Sequence, residues 1–144
     1  MTAALRIGRW MTETGRWLAG MMLDDGSRII ACNAEERETS FPKWVEPDVD
    51  VAQAKRASAW AKCNTRTPDL TDGPTRGALE DILLEAWPFA VVLYLEGREP
   101  EYSYAVQEYH TIDALNPGHD VRGVSRGAAV AAALIIAHEI PEYE

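Results

Sequence analysis

The sequence predicts a small α+β fold, in which helices pack on one face of an antiparallel sheet and an alanine-rich helix closes the chain. An apolar stripe at helical spacing begins after residue 78: Leu79, Ile82, Leu83, Ala86 and Trp87. Two segments with strand character follow, at 89–95 and 101–109. Residues 128–137 contain no polar side chain and predict a buried C-terminal helix.

The length and net charge of the chain narrow the kinds of protein it can be. The 144 residues predict a single domain over 1–144, with an irregular excursion at about 33–68. A net charge of −9 argues against a broad nucleic-acid surface, so direct nucleic-acid binding is not expected. Negative charge can serve solubility, or it can mimic nucleic acid toward a basic partner.

No segment reads as a membrane element. Residues 1–10 lack the apolar core of a signal peptide, and the apolar run at 128–137 is too short to span a bilayer. We therefore expect a cytoplasmic protein with no membrane partner. Cys32 and Cys63 have no metal-like spacing, and free thiols are favoured over a disulfide between them.

The first half of the chain predicts a helix over 3–13 and a hairpin. The hairpin joins residues 21–23 to 28–32 around an Asp-Gly turn. In the excursion, Pro42 and Pro47 are expected to break regular structure, although 50–61 has helical spacing.

The second half predicts helix, sheet and helix. Asp72 is a good N-cap, Pro74 suits the first turn and Pro88 ends the helix. The run 89–95 is almost purely apolar and predicts a central strand that is buried on both faces. Residues 101–109 predict its antiparallel neighbour, and 120–124 predict a short third strand.

The last helix is predicted to begin after the cap Ser125 and to run from Arg126 to about His138. Because it has almost no polar face, it needs burial on every side. Packing against a second copy of the chain would provide that burial and predicts a homo-oligomer. The alternative is a helix covered by its own sheet and the N-terminal segment.

The sequence predicts no catalytic residue, metal ligand or cofactor. His110, His119 and His138 have no partner at the spacing of a helical metal pair. His119-Asp120 could orient a general base, but no nucleophile is evident. Trp87 and Phe89 are expected in the core, whereas Trp44 and Trp60 fall in the excursion.

A candidate anion site is the helix start at 122–127, which contains Arg122, Gly123, Arg126 and Gly127. Helix N-termini attract anions, and arginine grips phosphate in a bidentate manner. Alternatively, the two arginines pair with carboxylates such as Asp120. A second helix start, at 72–77, offers Arg76, although Asp72 already caps it.

Three segments resemble small phage and prophage proteins. These proteins show W-x-x-G-M, then P-D-L-T-D-P-A-T-x-G leading into R-E-A-W, a β-hairpin and an alanine-rich helix. The chain has WLAGM at 17–21, PDLTDGPTRG at 68–77 and EAW at 85–87. It departs in having Gly73-Pro74 for Pro-Ala, Leu84 for Arg and a longer excursion before Pro68.

This layout is similar to that of the phage sponge proteins that counter the Thoeris defence system. Those oligomers sequester cyclic ADP-ribose variants, and in some cases cyclic oligonucleotides, without cleaving them. The resemblance implies a ligand pocket between protomers, with phosphate contacts from Arg122 and Arg126. It also implies that Gly20 and Arg28 lie near a second site at an oligomer axis.

The functional expectation is a non-enzymatic phage counter-defence protein of the host-cell cytoplasm that sequesters a nucleotide-derived immune signal. The alternative is an anti-CRISPR-like inhibitor, whose acidic surface blocks a nucleic-acid-binding defence complex. That surface would include Glu35, Glu36 and Glu38.

Overall fold

The computed structural model describes residues 2–14, 16–18, 20–26, 28–33, 41–45, 67–95 and 102–143. These residues form three helices and five strands, and the predicted α+β class is confirmed. In chain order the elements are α1 (Ala3–Thr14), β1 (Arg28–Asn33), β2 (Phe41–Val45), α2 (Gly73–Ala86), β3 (Val91–Tyr94), β4 (Tyr104–Glu108), β5 (His119–Gly123) and α3 (Arg126–Ala137).

The chain divides into two compact units, which are described one at a time. The first contains Met1–Ala78 and Pro141–Glu144, and the second contains Leu79–Ile140. The single-domain expectation stays a prediction. None of the described helices is long and apolar enough to cross a membrane.

The first unit is built around α1 and the tryptophan that follows it. Ile7 and Met11 are fully buried, and Trp17 is 1% exposed. The Trp17 indole Nε1 donates to Thr12 Oγ1 at 2.9 Å, and Thr12 Oγ1 donates to the Gly8 carbonyl at 2.9 Å. The buried polar groups are therefore satisfied, as burial requires, and the predicted helix at 3–13 is confirmed.

Strand β1 pairs with a strand that the sequence did not predict. The Asp-Gly turn forms, since Gly26 N donates to the Leu23 carbonyl at 2.9 Å and Gly26 has φ 87°. Only one bridge, Met22 to Arg28, joins residues 21–23 to β1, while Leu23 bridges Pro68 and β1 pairs antiparallel with β2. Pro42 was expected to break regular structure, but it lies within β2. Both strands of a two-stranded sheet are edge strands, and edge strands tolerate proline. The expected helix at 50–61 lies outside the described residues.

Helix α2 starts as predicted. Asp72 Oδ2 accepts hydrogen bonds from Thr75 N at 3.2 Å and Thr75 Oγ1 at 2.7 Å, which makes Asp72 the N-cap. The helix ends before Pro88, and its predicted apolar face is buried at Leu79, Ile82, Leu83 and Trp87.

The second unit contains a three-stranded antiparallel sheet in the order β3-β4-β5. The strand pairing at 101–109 and the third strand are confirmed, but the central strand is β4 and not the apolar run at 89–95. Strand β3 lies at the edge, with Val91 44% and Tyr94 64% exposed, and Phe89 is 41% exposed rather than in the core. The prediction of a central strand at 89–95 was wrong because it used apolar composition alone. The central position belongs to the strand with two partners, which is β4.

Helix α3 packs on one face of this sheet, close to the end of β5. Ser125 caps the helix, since its Oγ accepts from Ala128 N at 3.1 Å. Gly123 lies so close that a Cβ there would stand 2.5 Å from the backbone nitrogen of Ala129. Only glycine fits this contact between strand and helix.

Helix α3 is mostly buried within its own chain, so its apolar surface does not require a second copy to cover it. Ala129, Val130, Ala133 and Leu134 are fully buried, whereas Ile136 is 45% exposed. The alternative of a helix covered by its own sheet accounts for most of this burial. The homo-oligomer stays a prediction and needs another surface.

We expect Gly123→Ala to lower the free energy of unfolding by about 1–3 kcal/mol, because overpacking forces α3 to shift. Gly77→Ala is the matched control, since a Cβ there meets nothing within 4 Å inside α2. That control is expected to gain about 0.5–1 kcal/mol. Urea denaturation measures both, and equal stabilities for the two variants would contradict the close contact.

The Asp72 cap predicts a pH dependence. Burial alone raises the pKa of Asp72, but hydrogen bonds from Thr75 and the charge of Arg28 outweigh it and hold the pKa below its ordinary 3.8. A lowered folded pKa adds stability above pH 3.8 that is lost as the pH falls through the folded value.

Asp72→Asn, which keeps the cap acceptor, should therefore be less stable than wild type at pH 7 and match it at low pH. Asp72→Ala should lose about 1 kcal/mol at pH 7 because the cap is gone. Thermal melts from pH 7 down to acid test this. A constant Asn deficit across that range would rule out the charge effect.

Candidate ligand-binding face

The sheet of the second unit has one face toward α3 and one open face. Directly paired residues share a face, so the register defines the open face by its members: Val91, Leu93, Ala105, Gln107, Asp120 and Arg122. Gly123 and Val106, which belong to the other face, are buried. Except for Ala105 and Gln107, the open-face residues are exposed.

A row of hydrogen-bonded polar side chains crosses the open face. Tyr109 Oη donates to Gln107 Oε1 at 2.9 Å, and Gln107 Nε2 donates to Asp120 Oδ2 at 3.4 Å. Arg122 reaches the same carboxylate oxygen at 3.5 Å. The row therefore presents a phenol, an amide, a carboxylate and a guanidinium side by side.

An apolar groove lies at the Tyr109 end of this row. Its volume is about 530 Å³, and it lies between the start of β3 and the loop after β4. The lining residues are Phe89, Ala90, Val91, Tyr109, Thr111, Ile112, Ala114 and Leu115. Ile112 and Leu115 are 81% and 94% exposed, and together with the exposed Phe89 and Val91 they form one apolar patch, a feature typical of binding surfaces.

The register sets the distance between groove and guanidinium. Val91 lines the groove, and Arg122 lies two strands away and one row along the sheet. Strand spacings give roughly 10 Å across and roughly 7 Å along. A ligand with an aromatic base at one end and a phosphate at the other can bridge that span.

Of the two predicted arginines, Arg126 is held by a carboxylate. Its Nε and Nη2 donate to Glu80 at 2.6 and 3.1 Å in a bidentate pair. The hydrogen bond to Glu80 raises the pKa of Arg126, so the guanidinium stays charged and neutralised by its partner. Arg122 has the predicted contact with Asp120, at 3.5 Å, and its side chain is on the exposed face of the sheet.

The predicted glycines have packing roles. Gly123 admits the α3 backbone, so the space beside it holds Ala129. Gly127 is buried in the first turn of α3. Neither leaves room for a phosphate at its own Cα.

The other predicted residues belong to the first unit. Arg28 Nη1 donates to the Gly20 carbonyl at 2.7 Å, and Nη2 lies 3.7 Å from Asp72 Oδ1. Gly20 itself has φ 96°. The structure thus joins Gly20 and Arg28 to the α2 cap. Arg76 lies in the first turn of α2 and is half-buried.

Sequence reasoning missed a carboxylate–imidazole cluster. Glu108 is buried, and its two oxygens face His119 Nδ1 at 2.7 Å and His110 Nδ1 at 3.3 Å. Trp87 stacks on His119 with ring centroids 5.0 Å apart. Glu108 and His119 are brought together by the β4–β5 register, in which they are direct partners. Their spacing along the chain does not predict this pairing.

This cluster provides partners for a buried carboxyl group. A hydrogen-bond contact between His119 Nδ1 and Glu108 offsets the cost of burying this polar side chain. The cluster lies on the α3 side of the sheet, because Glu108 and His119 share a face with Val106. In the part of the chain that the structure describes, no three His, Cys, Asp or Glu side chains are placed to hold a metal ion.

Comparison of the chain with protein-family models, curated proteins and solved structures gave no match.

We expect the ion pair between Arg126 and Glu80 to stabilise the fold and not to contribute to ligand binding. A double-mutant cycle with Arg126→Ala and Glu80→Ala should give a coupling of about 0.5–1 kcal/mol, as for well-formed pairs that are partly exposed. Urea denaturation supplies the four free energies. A coupling of zero would contradict a stabilising role for this ion pair.

Proposed function

We propose that the protein binds a nucleotide-derived signal molecule on the open face of the β3–β5 sheet and sequesters it without cleaving it. The observation that carries the proposal is the polar row leading from the aromatic groove to Arg122. The predicted ligands are cyclic ADP-ribose variants and cyclic oligonucleotides.

The groove suits a base. Phe89 and Tyr109 offer ring surfaces, and Ile112 and Leu115 add exposed apolar area. Stacking of a base on an aromatic side chain contributes about 1–3 kcal/mol per base. A volume of about 530 Å³ is within the range of small-molecule sites.

The polar row suits a ribose phosphate. Carboxylates accept hydrogen bonds from ribose hydroxyls, a role open to Asp120. Arg122, exposed beside Asp120, supplies the cation for a phosphate. Gln107 and Tyr109 can read polar edges of the base.

Sequestration rather than turnover is favoured by the chemistry of this face. Its six residues and Tyr109 include no histidine, cysteine or serine. The imidazoles that contact Glu108 lie on the face that α3 covers. Asp120 is the carboxylate of this face, and its contacts with Gln107 and Arg122 favour a positioning role over that of a general base.

The biological role rests on the resemblance to phage proteins. A binder of host immune signals would act in the cytoplasm of the infected cell and blunt the defence by lowering the free signal. The inhibitor alternative depends on an acidic surface at Glu35, Glu36 and Glu38, which lie outside the described residues. It stays a prediction.

The test is native mass spectrometry of the protein with cyclic ADP-ribose isomers and with cyclic di- and trinucleotides. Wild type should gain the mass of one of these ligands and release it unchanged on heating. Arg122→Ala should weaken binding about 10- to 100-fold through loss of a charged hydrogen bond, and Phe89→Ala should do so through loss of stacking.

Two matched controls sharpen the result. Arg126→Ala removes an arginine four positions away that is paired with Glu80, and Ile136→Ala removes an exposed apolar side chain on α3. Both should bind like wild type. No mass gain with any ligand, or equal losses for Arg122→Ala and Arg126→Ala, would overturn the proposal.

A further inference from the structure

The loop at 109–118 forms one wall of the groove and has little structure of its own. The structure describes all of its residues, and they form neither helix nor strand. A backbone hydrogen bond within the loop runs from Ala114 N to the Thr111 carbonyl at 3.2 Å. Thr111, Ile112 and Leu115, which line the groove, are exposed. Because a loop with few buried contacts opens easily, the position of this wall depends on what holds its ends.

Both ends of this loop contact Glu108. Its Oε1 lies 3.3 Å from His110 Nδ1 near the start of the loop, and its Oε2 lies 2.7 Å from His119 Nδ1, directly after the loop. The backbone closes at the same point, since Gly118 N donates to the Glu108 carbonyl at 2.7 Å. A Cβ on Gly118 would lie 2.7 Å from Glu108 Oε2 and 2.6 Å from His110 Nε2, so only glycine fits against the cluster. One buried side chain thus contacts both ends of the loop.

The same cluster reaches the opposite wall of the groove, which consists of residues 89–91. That wall follows Trp87, whose carbonyl accepts from Ala90 N at 3.0 Å. The indole of Trp87 stacks on His119, with ring centroids 5.0 Å apart and an angle of 18° between the ring planes. His119 therefore contacts both Glu108 and the residue from which the second wall begins.

We propose that Glu108 is a positioning residue of the binding groove: through His110 and His119 it holds the loop at 109–118 in place beside the wall at 89–91. Glu108 lies on the face of the sheet toward α3, so it acts on a ligand only through the loop. Its effect on affinity rests on the proposed function, whereas its effect on the loop requires no ligand. A groove that is already ordered spares the ligand the cost of ordering it.

A buried carboxyl group suits this role. It has two oxygens, so one side chain can contact an imidazole at each end of the loop. An imidazole donates from Nδ1 in one neutral tautomer and also when it is protonated, so the contacts do not require one charge state. Opening of the loop would leave Glu108 buried without these partners, and that cost opposes opening.

Glu108→Gln and Glu108→Met form a matched pair of similar length. Glutamine keeps an oxygen that can accept from His119 Nδ1, whereas methionine keeps the buried packing and removes both polar contacts. The measurement is hydrogen exchange at the Gly118 and Ala114 amides of ligand-free protein, which reports local opening of the loop. Glu108→Met should exchange about 10-fold faster than wild type, the factor expected for one or two lost hydrogen bonds, and Glu108→Gln should stay close to wild type. Amides of α3 are the internal reference, because a general loss of stability would speed their exchange as well.

Affinity is the second readout, with cyclic ADP-ribose isomers and cyclic di- and trinucleotides as the probes. Glu108→Met should bind about 10-fold more weakly than wild type. Asp113→Ala, which removes an exposed carboxylate from the same loop, should match wild type in both exchange and affinity. If Glu108→Met does not fold, His110→Ala takes its place, because it removes one of the two contacts through an exposed side chain.

The outcomes separate the two proposals. Equal loop exchange in wild type, Glu108→Gln and Glu108→Met, or faster exchange with unchanged affinity, would overturn the positioning role. Faster loop exchange in Glu108→Met, in a protein that binds none of the probes, would overturn the proposed function and still support the restraint of the loop by Glu108.

Discussion

The close packing of α3 on the end of β5 is the constraint on which the second unit depends. Gly123 lets the helix backbone approach to a distance that no side chain would allow. Once α3 occupies that face, Val106 and Glu108 are buried beneath it, and the opposite face is left to Val91, Leu93, Asp120 and Arg122. Gly123, predicted from the sequence as a phosphate contact, thus decides which face of the sheet stays exposed.

The residues that carry the resemblance hold the fold together. Trp17 and Met21 are core residues of the first unit, and Asp72 caps α2 through Thr75. Thr75 Oγ1 also accepts from Met22 N at 2.7 Å, which ties the two motif segments to each other. In this chain the motif residues therefore serve the scaffold. The residues proposed to contact ligand lie elsewhere, in positions where a scaffold tolerates change.

The sequence predicted the elements whose signals are local. Asp72 and Ser125 as caps and the apolar stripe of α2 follow from spacing alone, and all are confirmed. The failures are non-local. The edge position of β3, the strand at Phe41–Val45 and the Glu108–His119 pair each depend on partners far along the chain. Likewise, the pairing of Arg126 with Glu80 joins residues 46 positions apart and has no signal in the local sequence.

The central claim is that the open face, and not the helix starts, is where ligand binds. Methyl and side-chain NMR spectra recorded during titration with cyclic ADP-ribose isomers and cyclic oligonucleotides test it most directly. The account predicts that a ligand shifts the methyl signals of Val91, Ile112 and Leu115 and the Gln107 amide, and leaves Ile136 unmoved. Shifts confined to the surroundings of Arg28 and Arg76, or none with any of these ligands, would contradict it.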